Sequence, residues 1–204
     1  MTKFLGLTGS IGMGKTETAK MFAAGGAPVY DADAAVHALY EKGGAAVDPV
    51  GTAFPGVVED GAIVRERLRD AVLKAPDALA HLNQIVHPLV AESQIAFRQS
   101  AQSSGSALAV LDIPLLFETG GDAACDYIAV VTAPAHIQRS RVLDRGTMSE
   151  TEFEKILSKQ TPDAEKRARA DFVISTAFGF EFTAKHVSAI MELINSMESE
   201  RPAQ

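Results

Sequence analysis

The sequence contains a single cysteine, Cys125, and no long hydrophobic run. One thiol excludes an internal disulfide and a zinc site built from cysteines. No segment approaches the roughly 20 apolar residues that a membrane-spanning helix needs, and the first residues lack the apolar stretch of a signal peptide. These absences predict a cytoplasmic protein with no membrane partner.

An excess of positive charge is also absent. Lys and Arg together number 19 against 26 Asp and Glu, which gives a net charge of −7. Proteins that bind duplex nucleic acid usually present a basic surface, so we expect no nucleic-acid partner. A nucleotide ligand is not excluded, because a few local basic groups suffice to bind it.

The residues that are present favour an α/β fold. The 204 residues suit one domain, or one domain with an inserted cap, and 47% of them are apolar. Short apolar runs predict five strands, at 4–8, 28–31, 107–112, 127–132 and 172–175. Helix-like segments separate them, which indicates a parallel sheet covered by helices on both faces.

The segment 33–104 has no convincing strand. It is typical of several helices, interrupted by Gly and Pro at 43–44, 55–56, 60–61, 76 and 88. Ser149 and Glu152 fit a capping box, so a helix is expected to begin there. Near the end, one helical stripe is expected to face the core: Val187, Ile190, Met191, Ile194 and Met197. Residues 198–204 are expected to form a frayed tail.

A phosphate-binding loop is the clearest motif. The residues from Gly9 to Thr16, GSIGMGKT, match the pattern G-x-x-x-x-G-K-[ST] between a predicted strand and a predicted helix. Backbone N–H groups of such a loop cradle phosphate oxygens, the lysine reaches the β- and γ-phosphates, and the threonine hydroxyl ligates Mg²⁺. Thr16 is therefore the expected metal ligand. The residues expected to bind the nucleotide are Ile11, Gly12, Met13, Gly14, Lys15 and Thr16.

A GTPase is disfavoured among the proteins that carry this loop. The Asn-Lys-x-Asp motif that recognises guanine is absent from the sequence. Asp48-Pro-Val-Gly51 fits the loose D-x-x-G pattern, but it follows no clear strand, and we interpret it as a turn. An ATP-dependent enzyme is the better hypothesis.

Several polar residues could orient a hydroxyl group for attack, as a kinase requires. Asp31 and Asp33 follow the second predicted strand, where one could enter the cleft and the other could cap the next helix. Asp112 ends a predicted central strand and could bind the metal, directly or through water, or only anchor a loop. His87 precedes Pro88 and could be a base or only a helix cap. The other histidines show no metal-ligand spacing.

Arginines gather between the last two predicted strands. Arg141 and Arg145 are four residues apart on a predicted helix, so they share one face. Arginine suits the charge on a transferring phosphoryl group, and a mobile lid often supplies it. The alternative is a solvated helix face, which we prefer for Arg139 and Arg169.

Together these motifs resemble the dephospho-CoA kinase family along almost the whole chain. The Asp-Ala-Asp, His-Pro and Asp-Ile-Pro-Leu-Leu-Phe-Glu segments are more specific to that family than the P-loop is. The segments that carry the resemblance are 7–16, 29–33, 60–65, 82–88, 112–118, 138–146, 160–162 and 170–174.

The resemblance implies transfer of the γ-phosphate of ATP to the ribose 3′-hydroxyl of dephospho-CoA, the last step of coenzyme A synthesis. It implies one three-layer P-loop kinase domain, with a five-stranded parallel sheet and helices on both faces. The implied core covers about 1–34, 105–138 and 170–198. A helical substrate-binding region covers about 35–104, and a lid about 139–169.

Residue roles carried over by position follow from the same resemblance. Asp33 would orient or deprotonate the 3′-hydroxyl, and Arg141 would contact phosphates from the lid side. With Lys15 they form the expected catalytic set. The acceptor site would also include Arg65, His87 and Asp112.

Some positions depart from the family pattern. Met13 and Glu17 stand where a small residue and Thr are common, but the loop works mainly through its backbone. Leu73 replaces a usual Phe. Ser175-Thr176 stand where the family tends to have Asp-Asn or Asn-Asn, so the adenine-side contacts are not implied.

Two alternatives remain at this level. One is a related P-loop kinase that acts on a nucleoside monophosphate or another small metabolite. The other is a nucleotide-binding protein that has lost catalysis, although the intact Lys15, Thr16, Asp33 and Arg141 speak against it. The sequence does not indicate an oligomeric state.

Overall fold

Strands and helices alternate along residues 1–199, which are the residues that this computed structural model describes. The tail expected to fray at 198–204 overlaps the end of the last helix at 198–199, and its remainder lies outside the described residues. The strands are β1 (Lys3–Thr8), β2 (Val29–Asp31), β3 (Val58–Glu59), β4 (Ala62–Ile63), β5 (Leu108–Asp112), β6 (Tyr127–Thr132) and β7 (Phe172–Ser175).

Nine α-helices are formed by the described residues. The first five are α1 (Lys15–Ala24), α2 (Ala32–Tyr40), α3 (Val47–Ala53), α4 (Arg65–Lys74) and α5 (Ala78–Ser103). The others are α6 (Ala135–Leu143), α7 (Glu150–Leu157), α8 (Asp163–Ala168) and α9 (Phe180–Ser199), and a short 3₁₀ helix covers Gly121–Ala124. Helix α7 begins with the predicted capping box, in which Ser149 and Glu152 satisfy each other's backbone N–H groups.

The main sheet contains the five strands that the apolar runs predicted. Their order is β2-β5-β1-β6-β7, and β1 pairs in parallel with both β5 and β6. The pairing of β1 with β5 sets Leu7 opposite Asp112, so the two strands end at the same edge. Parallel strands of this kind present their carboxyl ends to one cleft, which is where such sheets bind ligands.

The chain divides into two compact units. The first consists of residues 1–30 and the described residues from 101 onward, and it holds most of the sheet. Residues 31–100 form the second. The substrate-binding role of a helical region near 35–104 and the lid role of 139–169 stay predictions.

The core of the first unit lies between the sheet and helices α1 and α9. Every residue of β5 is buried, as a central parallel strand requires. Phe22 of α1 is fully buried in the same cluster as Val187, Ile190 and Ile194 of α9. Each such side chain stabilises the fold by about 1.5–3 kcal/mol when buried. The predicted stripe is confirmed there, but Met197 is exposed and the prediction is wrong for it.

The second unit has its own core, and it contains a hairpin that the sequence did not predict. Strands β3 and β4 pair in antiparallel fashion, with Val58 opposite Ile63. Asp60 and Gly61 form the turn, and their φ angles of 51° and 80° are those of a tight two-residue hairpin turn. The sequence predicts only a helix break at this Asp-Gly pair, because strands of two residues leave almost no periodicity.

Two local predictions in this unit are wrong. Pro88 lies inside α5 instead of ending a helix. It removes one hydrogen bond, to the Gln84 carbonyl, but the helix continues because its apolar face packs into the core on both sides of the proline. That face comprises Leu82, Ile85, Val86, Leu89 and Val90. The Asp48–Gly51 segment lies within α3 and is not a turn.

Among residues 1–199, no helix is both long and apolar enough to cross a membrane.

Candidate active site

The P-loop joins β1 to α1 and requires glycine at two positions. Gly12 and Gly14 have φ angles of 77° and 93°, in the left-handed region that other residues rarely adopt. A Cβ on Gly12 would lie 2.5 Å from Val142 Cγ2, and one on Gly14 would lie 3.2 Å from Thr176 Cγ2. Both glycines therefore allow the loop to pass close to the elements that surround it.

Side chains from distant parts of the chain hold this loop. The Gln138 side-chain amide donates to the Ile11 carbonyl at 2.8 Å, and the Ile11 N–H donates to Gln160 Oε1 at 3.1 Å. Met13 is buried, and its sulfur accepts the Ala133 N–H at 3.1 Å. Met13 is thus an anchor of the loop in the core.

Lys15 and Asp112 form an ion pair in the structure. Lys15 is the first residue of α1, and Asp112 is the last residue of β5, the neighbour of β1 in the sheet. The Asp112 side chain is almost fully buried. Thr16 follows in the first turn of α1 and is exposed. The structure therefore brings together the cation, the hydroxyl and the carboxylate that the sequence singled out in this unit.

Arg141, on α6, is held by Thr176. Its Nη1 donates to Thr176 Oγ1 at 2.8 Å, and its Nη2 donates to the Thr176 carbonyl at 2.7 Å. Two parallel bonds fix the plane of a guanidinium group as well as its position. Thr176 lies directly after β7, so the sheet defines where this arginine stands.

A cavity of about 460 Å³ opens beside the P-loop. Its lining includes Gly12, Gly14, Arg141, Arg145, Thr176 and Phe180. Arg141 and Arg145 line it together, as their four-residue spacing predicted. Glycine backbone, two arginines and an aromatic ring are groups that suit a nucleotide, which combines charged phosphates with a flat base.

A buried ion pair anchors α8 near the P-loop side of the unit. The Lys166 side chain is completely buried, and its Nζ lies 2.9 Å from Glu118 Oε1. The Thr161 N–H donates to the same oxygen at 2.7 Å. Burial alone would raise the pKa of the Glu118 carboxyl, but the Lys166 ammonium and the Thr161 N–H outweigh it and hold the pKa below its usual value.

Residues 160–161 consequently tie two parts of the unit together. Gln160 binds the P-loop through Ile11, and the neighbouring Thr161 binds Glu118. Helix α8 is fixed a second time by Asp163, whose carboxylate accepts from the Thr132 hydroxyl at 2.9 Å, at the end of β6.

Arg139 and Arg169 are both exposed, as the interpretation of a solvated helix face predicts, but each also makes specific contacts. Arg139 is exposed and pairs with Glu150 of α7. Arg169 donates to Asp122 Oδ2 at 2.7 Å and covers the Phe117 ring, 4.1 Å from its centroid. Arg169 therefore joins the end of α8 to the loop after β5, which its position in the sequence could not show.

The remaining candidate residues belong to the second unit. Asp31 caps α2, because its Oδ1 accepts the Ala34 N–H at 2.9 Å. Asp33 is exposed in the first turn of that helix and is not the cap. Arg65 begins α4. Burial raises the pKa of Tyr40, and the positive charge of Arg65 opposes this shift only in part. His87 is exposed within α5, so its interpretation as a helix cap is wrong.

Gln138 and Gln160 lie in segments that carry the family resemblance, but the sequence does not indicate that they or Thr176 contact the P-loop. The two residues of each contact are 127, 149 and 163 positions apart, respectively. Amide and hydroxyl side chains are common, and nothing local distinguishes one that reaches a loop on another element.

Comparison with known proteins gives one family. The sequence model of the family described as dephospho-CoA kinase matches residues 3–179. The dephospho-CoA kinase of Bradyrhizobium diazoefficiens is 49% identical over 199 residues, which cover 98% of this chain and 99% of that protein. The dephospho-CoA kinase of Ruegeria pomeroyi is 54% identical over 176 residues, 86% of this chain and 88% of that protein.

Solved structures share the fold of this chain. TT1252 from Thermus thermophilus is 29% identical with a TM-score of 0.80, over 96% of this chain and 97% of that one. The dephospho-CoA kinase from Campylobacter jejuni has a TM-score of 0.74 at 20% identity, over 97% and 100% of the two chains, and that likeness concerns the fold alone. The α/β fold with a five-stranded parallel sheet, predicted from the sequence, is confirmed.

Proposed function

Because this chain belongs to the dephospho-CoA kinase family, we propose that it transfers the γ-phosphoryl group of ATP to the ribose 3′-hydroxyl of dephospho-CoA, giving coenzyme A and ADP. The observation that carries the proposal is the family match over residues 3–179, which includes an intact P-loop. ATP is a cytoplasmic co-substrate, and we place the enzyme in the cytoplasm.

The nucleotide would bind along the first unit. The N–H groups of the P-loop and the N-terminus of α1 provide donors and positive potential for the phosphates. Lys15, at the start of α1, would move from Asp112 to the β- and γ-phosphate oxygens. The base and ribose would occupy the cavity beside the loop, whose lining includes Arg145 and Phe180.

We propose Mg²⁺ as the metal, and the donors present fit it. Mg²⁺ prefers oxygen ligands and is usually held by one or two protein oxygens together with substrate phosphates. The Thr16 hydroxyl would be one ligand, and Asp112 would bind directly or through water. Residues 1–199 contain no group of three or more His, Cys, Asp or Glu side chains that could hold a metal ion. We therefore expect no metal site made by protein side chains alone among these residues. When bound, Mg²⁺ neutralises charge on the β- and γ-phosphates.

On the acceptor side, we propose that Asp33 orients the 3′-hydroxyl or accepts its proton. The capping role of α2 is filled by Asp31, so the Asp33 carboxylate is not the cap of that helix. Arg65 and His87 would bind the remainder of dephospho-CoA, together with Asp112.

Arg141 would act on the transferring group. Phosphoryl transfer passes through a loose transition state whose charge is spread over the equatorial oxygens, so catalysis is mostly positioning and electrostatic stabilisation. A guanidinium held at the edge of the nucleotide cavity can meet that charge without reorganising. Lys15, Asp33 and Arg141 are therefore the proposed catalytic set.

The test measures ADP release and coenzyme A formation by the purified protein with MgATP. Dephospho-CoA should stimulate ADP release, whereas nucleoside monophosphates and shikimate should not. A dephospho-CoA analogue that lacks the 3′-hydroxyl should be inactive, which checks the position of transfer. Turnover with another acceptor but not with dephospho-CoA would discard the proposed substrate and keep the kinase.

A matched pair of lysine variants checks the phosphate site. Lys15→Ala should lower kcat by roughly 10²- to 10³-fold, as loss of a preorganised donor does, and should also raise KM for ATP. Lys185→Ala removes an exposed lysine that pairs with Glu181 on α9, and it should leave both constants unchanged. Full activity of Lys15→Ala would show that the P-loop is not the catalytic phosphate site.

A further inference from the structure

Thr176 occupies a position that the sheet defines. It follows β7 directly, and its N–H donates to the Thr132 carbonyl at 2.9 Å, which continues the pairing of β7 with β6 by one residue. The residue is buried. Its side chain therefore projects from the rigid part of the first unit and not from a free loop.

The hydroxyl of Thr176 uses both of its hydrogen-bonding functions. It donates to the Met13 carbonyl in the P-loop at 2.8 Å and accepts from Arg141 Nη1 at 2.8 Å. The Thr176 carbonyl accepts from Nη2 of the same guanidinium. One side chain thus connects the loop proposed to hold the phosphates with the arginine proposed to act on them.

The Thr176 side chain also lies close to the P-loop backbone at Gly14. A Cβ on Gly14 would lie 3.2 Å from Thr176 Cγ2 and 3.3 Å from its Oγ1. A side chain on Gly14 would therefore press on Thr176. The Thr176 methyl group lies on the Gly14 side, and its hydroxyl bonds to Met13 and Arg141.

We propose that Thr176 is a positioning residue for the phosphoryl-transfer reaction, whose hydroxyl sets the Arg141 guanidinium at a fixed place relative to the P-loop phosphates. The inference rests on the proposed function, in which Arg141 meets phosphate charge. Thr176 acts through Arg141, and it does not need to touch the substrate. Thr176 is one of the positions at which the sequence departs from the family pattern, and the proposal gives this residue a role.

The test compares Thr176→Val with Thr176→Ser. Valine keeps the shape and removes the hydroxyl, whereas serine keeps the hydroxyl. Thr176→Val should lower kcat with dephospho-CoA and should weaken ATP binding. We expect the two effects together to amount to roughly 10-fold or more, because one hydrogen bond to a charged group supports an effect of that size. Thr176→Ser should retain both within about threefold. Thr119→Val, which removes an exposed hydroxyl bonded only to nearby carbonyls, serves as the control.

A double-mutant cycle decides whether the effect passes through Arg141. In an Arg141→Ala background, Thr176→Val should cause little further loss, because the group that it positions is already gone. An equal loss in both backgrounds would overturn the proposal, and so would unchanged kinetics of Thr176→Val. Equal losses in the valine and serine variants, accompanied by lower thermal stability, would also overturn it and leave a purely structural role.

ATP affinity, measured by calorimetry without any acceptor, separates this inference from the proposed function. If wild-type protein does not phosphorylate dephospho-CoA, the proposed function fails, and the same cycle read on ATP affinity still tests Thr176. A loss of affinity that is absent in the Arg141→Ala background supports the positioning role. An additive loss, or none, overturns it.

Discussion

Asp31 and Asp33 are two residues apart and have different roles at the start of α2. The Asp31 carboxylate accepts a backbone N–H and caps the helix, while Asp33 is exposed one step into the first turn. A pair of acids at a strand end could not be divided in this way from the sequence, because either residue can cap. The structure assigns the cap and leaves Asp33 as the candidate for chemistry.

Asp33→Asn should therefore lower kcat by roughly 10²-fold or more, because a positioned acid–base group contributes about that much. The matched control is Asp31→Asn, since asparagine caps helices as well as aspartate does. The control should keep the stability of the fold and most of the activity. Steady-state kinetics with dephospho-CoA measure both variants. An unchanged rate for Asp33→Asn would remove Asp33 from the proposed mechanism.

At the scale of elements, an ion pair between Lys166 and Glu118 anchors α8 to the loop after β5. Lys166 is completely buried and has Glu118 as its ionic partner, and Glu118 also accepts the Thr161 N–H. Removal of one member of a buried pair leaves an uncompensated charge, which destabilises a protein by about 3–5 kcal/mol. The contact also supports residue 160, whose side chain binds the P-loop.

The stability effect of Glu118→Gln should depend on pH. The folded-state pKa of Glu118 lies below its usual value, so its contribution is present above the unfolded pKa, about 4.3, and is lost as pH falls through the folded pKa. The variant should be less stable than wild type at pH 7, and the difference should shrink below about pH 4. Urea unfolding at a series of pH values measures it. Glu181→Gln, in an exposed pair, is the control. A deficit that stays constant with pH would show that the charge is not its source.

An element can be predicted from the sequence when the residues that determine it are contiguous. The strands of the main sheet, the P-loop and the capping box of α7 depend on contiguous residues, and the sequence predicted them. The continuation of α5 through Pro88 depends on core packing around it, and the β3–β4 hairpin depends on a turn between strands of two residues. Neither leaves a periodic pattern to detect.

The candidate site divides in the same way. Lys15, Thr16 and Asp112 were found because a motif and a strand end mark them. The contacts of Gln138, Gln160 and Thr176 with the P-loop connect residues more than 120 positions apart, so only the folded chain reveals them. The residues proposed for chemistry carry local signatures in the sequence, and these long-range contacts do not.

At the scale of the whole molecule, two compact units carry different proposed tasks. Each unit has its own buried hydrophobic cluster. The cluster of the first unit lies between the sheet and two helices, α1 and α9, and that of the second lies among helices α2–α5. The residues proposed for ATP all lie in the first unit. Asp33, Arg65 and His87, proposed for the acceptor, lie in the second, whereas Asp112, proposed for both the metal and the acceptor, lies in the first. If these assignments are right, the two substrates should stabilise different parts of the chain against local opening.

Hydrogen exchange followed by mass spectrometry can test this division. A non-hydrolysable ATP analogue with Mg²⁺ should slow exchange in peptides that cover 9–16 and 135–145, because phosphates take up P-loop N–H groups and fix α6. Dephospho-CoA should slow exchange in peptides that cover 31–40 and 65–90. Lys15→Ala should lose the first effect, since it lacks the phosphate-binding cation. Protection by dephospho-CoA confined to residues after 101 would show that the second unit is not the acceptor region and would return Arg65 and His87 to structural roles.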